Sequence, residues 1–124
     1  ASELATAIAF DEASWRGVDL VALHSWSDAD WSEYDLEWST IKAAAEETLG
    51  ERLAGYRERY PDVTVRRVVV FDYPARHLLD ASKSAQLVVV GSHGRGGFAG
   101  MLLGSVGSAV VHGAQVPVIV ARQR

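Results

Sequence analysis

Apolar positions recur along this chain in two ways: at helical spacing, and as short unbroken runs. Ser2 to Arg16 carries Leu4, Ala5, Ile8 and Trp15 at helical spacing, with no Gly or Pro before Gly17. The spacing predicts a helix that turns Leu4, Ile8 and Trp15 to one face and is capped by Gly17. Val18–Leu23 reads as a short buried strand continued by His24 and Ser25. From Thr40 to Tyr60, Ile41, Ala45, Leu49, Leu53 and Tyr56 recur at three- and four-residue spacing, and the charged residues fall largely elsewhere. That is an amphipathic helix ended by Pro61. Val63–Phe71 is rich in β-branched residues and predicts a strand. Pro74 sits in the first turn of a helix expected to run through Leu78 and Leu79 to about Ser84. Leu87–Val90 predicts a strand, Ser105 to Gly113 a short helix and Val116–Ala121 a last strand. Pro117 within that last run predicts an edge position, because proline donates no ladder hydrogen bond.

Helices alternate with strands, and most of the strands are continuous apolar runs. This pattern predicts an α/β fold with a parallel sheet covered by helices on both faces. Such folds open on a strand, whereas this chain opens on a helix. A strand is therefore expected ahead of Ser2, removed from this chain or supplied by another. Between Trp26 and Ser39, three tryptophans and Tyr34 alternate with acidic residues. Two readings stand: a solvated loop whose aromatics tuck against the core, or a lid or partner surface.

Composition narrows the class. The 124 residues suffice for one domain with a core, and no apolar run is long enough to span a bilayer. Cysteine is absent, so neither a disulfide framework nor a thiolate metal site exists. With no secretory leader visible, the expected location is cytoplasmic. The net charge of −4 is unevenly spread: all 16 acidic residues lie at or before Asp80, and only basic residues follow. That part of the chain favours a local anionic ligand. The acidic balance and lack of a basic run argue against nucleic acid as partner.

The acid-free C-terminal part holds a dense run of glycines: Gly91, Gly94, Gly96, Gly97, Gly100 and Gly104, then Ser105. A strand opening into glycines and then a helix can present bare backbone N–H groups to phosphate. Three signatures fail or fit weakly. The P-loop needs a lysine where Gly97 stands. The dinucleotide pattern finds Gly94, Gly96 and Ala99, but no acidic residue follows to bind a ribose. The hydrolase elbow needs glycine at Val90, so Ser92 is not that nucleophile. His24, His77, His93 and His112 contain no i, i+4 pair that suggests a metal site. The glycines alone also allow a tight loop that binds nothing.

A fourth spacing fits in full: Gly91-x2-Gly94-x9-Gly104-Ser105. With the helix SELATAIAFDEAS, the strand VDLVALHSW, the turn LLGSV and the closing VPVIVAR, the chain resembles the universal stress protein family. It is most similar to the second domain of tandem-domain members. The resemblance implies a doubly wound, five-stranded parallel sheet of order 3-2-1-4-5 whose first, central strand is absent here. It implies one domain over residues 1–124, part of a longer and tandem-domain protein. It also implies an ATP-binding regulatory function in stress response, with Mg²⁺ or Mn²⁺ arriving on the phosphates. Val90, Gly91, His93 and Gly94 would line ribose and phosphates, with cationic Arg95 beside them. Gly104, Ser105, Val106 and Gly107 would hold phosphate at the next helix, where Ser105 can cap the free N–H groups. Ser25 would lie beside the adenine.

No residue set pairs a base with a positioned nucleophile, so no enzyme is expected beyond weak ATP hydrolysis. The competing expectation is a nucleotide-free dimerisation module. Its apolar VPVIVA strand would pair with a second copy or with a second domain of the same fold.

Overall fold

The computed structural model describes residues 2–26, 38–91 and 105–122. Within them, helices and strands alternate: α1 (Ser2–Arg16), β1 (Leu20–Trp26), α2 (Trp38–Arg59), β2 (Val65–Phe71), α3 (Pro74–Ser82), β3 (Val88–Gly91), α4 (Ser105–Gly113) and β4 (Val118–Ala121). β1 pairs with β2 and β3 with β4, both in parallel. Among the described residues the strands form two two-stranded sheets and not the single five-stranded sheet that the resemblance implies. The chain divides into two compact units, one of residues 13–74 and one of residues 1–12 with 75–124.

Gly17 closes α1 as its position in the sequence predicts. Its φ of 64° is left-handed, which costs a residue without Cβ nothing. The Gly17 N–H donates to Ser14 O at 3.2 Å and the Val18 N–H to Ala13 O at 3.1 Å. These are the two bonds of a Schellman cap. The buried residues of α1 differ from those expected. Phe10 and Ala13 are buried, whereas Trp15 is 84% exposed. Leu4, Ala5 and Ile8 are half-buried. Trp15 follows the helical period of Leu4 and Ile8, but Phe10 and Ala13 lie on the opposite side, and they pack inward.

In the unit of residues 13–74, β1 and β2 run in register from Leu20 beside Val65 to Trp26 beside Phe71. Partners in a parallel ladder share a face, so Ala22, Arg67, His24 and Val69 lie on one side and Leu23, Val68, Ser25 and Val70 on the other. α2 covers the first side. Its Ile41, Ala45, Leu49 and Leu53 are all buried, the four-residue stripe read from the sequence. Each such side chain contributes about 1.5–3 kcal/mol where fully buried, less for Ala45. Arg67 reaches across the helix to donate to Glu46 O at 3.3 Å. Gly50 leaves room for it, since a Cβ there would stand 2.5 Å from Arg67 Nη1. Ser14 Oγ donates to Asp62 Oδ2 at 2.7 Å, tying the end of α1 to the turn after α2.

Trp26 and Trp38 do not belong to a loop: the first ends β1 and the second begins α2. The remainder of the Trp-rich stretch, 27–37, lies outside the described residues.

In the other unit, Val88 and Val90 of β3 bury against Val110 of α4, with Leu78, Val106, Val118 and Val120 around them. α3 ends at Ser82, two residues before the sequence expectation. There the chain tightens, with Lys83, Ser84 and Ala85 each donating to the residue three before. Ser82 Oγ, though buried, donates to Leu79 O at 2.6 Å and so remains satisfied. Leu79 in turn packs where a Cβ on Gly113 would sit 3.0 Å from it. Pro117 precedes β4 instead of lying within it. Its carbonyl accepts the Val88 N–H at 3.0 Å, so the ladder uses its acceptor and never needs the missing donor. The proline therefore gives no ground for an edge position.

Candidate functional site

Val90 and Gly91 are the last two residues of β3, paired with Val120 and Ala121 of β4. Val90 is buried and anchors this end of the strand in the valine core. Ser105, Val106 and Gly107 form the first turn of α4. Ser105 is exposed, Val106 packs on the core formed by Val88, Val90 and Val110, and Gly107 is buried. One hydrophobic cluster therefore fixes both the end of β3 and the start of α4.

The first N–H groups of a helix have no partner within it. In α1 an acidic side chain, Glu3, stands in the first turn; in α4 there is none. The positive end of the α4 dipole thus faces no carboxylate of its own turn. His93, Gly94, Arg95 and Gly104 lie outside the described residues. The described residues contain no group of three or more His, Cys, Asp or Glu side chains that could hold a metal ion. Among them no helix is long and apolar enough to cross a membrane.

Ser25 belongs to the other unit and lies within β1, one residue before its end. Its hydroxyl donates to the Asp72 carbonyl at 3.1 Å. It ties the end of β1 to the turn that follows β2. That turn escaped sequence reasoning. Asp72 and Tyr73 both have positive φ, 54° and 50°. Asp tolerates this conformation through local hydrogen bonding, and Asp72 Oδ1 indeed accepts the Tyr73 N–H at 2.9 Å. Tyr has no such compensation, so nothing in its identity signals the strain. Tyr73 is 61% exposed and Phe71, at the end of β2, 39%.

The profile of the Universal stress protein family matches residues 1–122. The chain belongs to the universal stress protein family. The universal stress protein Rv2005c of Mycobacterium tuberculosis is 67% identical over 123 residues, 98% of this chain and 42% of that protein. The chain thus spans about two-fifths of the length of this curated relative. Solved universal stress proteins share the fold. One, in complex with cAMP, has a TM-score of 0.68 at 20% identity, covering 99% of this chain and 88% of its own. Another, from Archaeoglobus fulgidus in complex with dAMP, has a TM-score of 0.68 at 23% identity, covering 96% and 86%.

Proposed function

We propose that this universal stress protein chain is an adenine-nucleotide-binding regulatory domain, with ATP as ligand. Its phosphates would lie at the end of β3 and the first turn of α4. One observation carries this reading: a single core packs Gly91's strand and Ser105's helix, and the helix start carries no acidic side chain. The N–H groups and positive dipole end would then face an anion with no carboxylate in their own turn. The glycines of Gly91-x2-Gly94-x9-Gly104-Ser105 would let phosphate approach the backbone, with His93 and Arg95 in the same run. Val106 and Gly107 would contribute N–H groups from the helix. The solved relatives holding cAMP and dAMP support adenine as the base.

The chain would form one domain of a longer, tandem-domain protein, with a sheet of order 3-2-1-4-5. Binding would regulate assembly or partner choice without catalysing a reaction.

Native mass spectrometry of the purified protein, at its natural length, tests the reading. Bound adenine nucleotide is expected. Gly104→Val, which puts a branched side chain into the glycine run, is expected to abolish ATP binding in calorimetric titration while leaving the far-UV circular dichroism unchanged. Dimerisation without nucleotide binding in the wild type, and no effect of Gly104→Val, would favour the dimerisation module instead.

A further inference from the structure

α4 ends on a glycine that its backbone does not require. Gly113 is the last residue of α4, and it lacks the left-handed φ that Gly17 takes at the end of α1. The Ala114 N–H still donates to Val110 O at 2.9 Å, so ordinary helix geometry runs through Gly113. Alanine is the better helix former at such a position. What glycine supplies here is room. A Cβ would stand 3.0 and 3.1 Å from the two methyl carbons of Leu79, on α3. Turning one methyl away leaves the other in place, and the Leu79 carbonyl is held by Ser82 Oγ at 2.6 Å. α4 therefore seats directly on Leu79.

The seat lies at one end of a nine-residue helix whose other end is the candidate phosphate site. Val110, fully buried with Val88 and Val90, stands between them, three residues before Gly113 and five after Ser105. All of these residues belong to the unit of residues 1–12 with 75–124. Carbon atoms in ordinary contact stand about 3.5–4.0 Å apart. A methyl group at position 113 would thus part α4 from Leu79 by about half an ångström. Gly113 is otherwise exposed, which leaves the helix end free to yield. With Val110 as the pivot, the first turn of α4 would shift by roughly 0.8 Å, because residues rise evenly along the axis. A binding site has to hold its geometry to within about 0.5 Å.

We propose that Gly113 is a positioning residue for the phosphate site. By carrying no side chain it lets α4 rest on Leu79, and that seat sets where Ser105, Val106 and Gly107 meet the phosphates. Gly113 acts through the helix and does not touch the ligand. The inference rests on the nucleotide reading above for the identity of the ligand.

The test uses the protein at its natural length, with ATP as the probe in calorimetric titrations and the melting temperature measured alongside. Gly113→Ala is expected to weaken ATP about fivefold, the equivalent of one hydrogen bond, in a protein that remains folded. Adding Leu79→Val removes the two methyls and keeps a carbon near the Leu79 Cγ position, 3.7 Å from the new methyl, which is an ordinary contact. The double variant Gly113→Ala, Leu79→Val is therefore expected to regain wild-type ATP affinity, a rescue that a purely structural role would not produce. Unchanged ATP affinity in Gly113→Ala, with or without a lower melting temperature, overturns the inference and spares the nucleotide reading. A loss that Leu79→Val fails to restore also overturns it, since the effect then does not pass through the seat. A wild-type protein that does not bind ATP overturns both.

Discussion

The end of β2 and the end of β3 solve the same problem in opposite ways. Each is the C-terminal end of a parallel strand from which the chain must turn away. After β2 it turns through Asp72 and Tyr73, keeping side chains at left-handed φ and holding them with hydrogen bonds from Ser25 and from within the turn. After β3 the sequence turns to glycine, with Gly91, Gly94, Gly96 and Gly97 in close succession. The first carries a tyrosine ring; the second is, in sequence, a run of glycines. The charge distribution follows the same division. Asp72 lies among the acidic residues, whereas no acidic residue follows Asp80. An acid-free, glycine-rich run is the kind of backbone that suits phosphate.

The comparison can be broken by substitutions on either side. The largest expected effect is on the support of the β1–β2 unit. Leu53, 3% exposed, completes the buried stripe of α2. Leu53→Ala is expected to lower stability by about 2–5 kcal/mol in urea titration, because the cavity cannot collapse between helix and sheet. A smaller loss is expected from Ser105→Ala. Removing the hydroxyl at the start of α4 takes away roughly 1 kcal/mol of capping or phosphate contact. About fivefold weaker ATP binding by calorimetry is the result to look for. If affinity holds and only the melting temperature falls, Ser105 serves as a cap alone. The smallest effect belongs to Gly50→Ala. The new methyl group displaces the Arg67 guanidinium from Glu46 O, but the better helix propensity of alanine offsets that loss. A net change within about 0.5 kcal/mol is expected. A larger loss would mean that Arg67 anchors the sheet to α2 more firmly than one exposed hydrogen bond allows.

Much of the fold was legible because periodicity and caps agree. The stripe from Ile41 to Leu53 predicts α2, and all four positions are buried. Ser105–Gly113 is helical over the expected span. Gly17 caps α1 with both Schellman bonds. The misreadings have local causes. Trp15 keeps the period of Leu4 and Ile8, but a helix with apolar residues on several sides does not declare which side packs, and Phe10 and Ala13 pack instead. Pro117 sits one residue ahead of β4, where the ladder needs only its carbonyl. On the candidate site, the sequence placed Gly91 at a strand end and Ser105 at a helix start. It could not show that the Ser25 hydroxyl donates to the Asp72 carbonyl, nor that Asp72 and Tyr73 take positive φ. Both depend on a contact between residues 47 positions apart and on a backbone angle that tyrosine does not advertise.

The parallel pairing of β1 with β2 and of β3 with β4 also governs how this chain reaches its native state. Each pair joins strands that lie on either side of a long connection, Leu20 with Val65 and Val88 with Val118, so no hairpin between them can seed the sheet. Loop closure must be met before any ladder bond repays it, whereas the contacts within a helix are local and carry no such cost. α2, the longest helix described, is the natural early structure, and the strands dock onto it afterwards. Until they dock, four apolar strands stand with unpaired edges, and the nascent chain is most prone to aggregate in that interval.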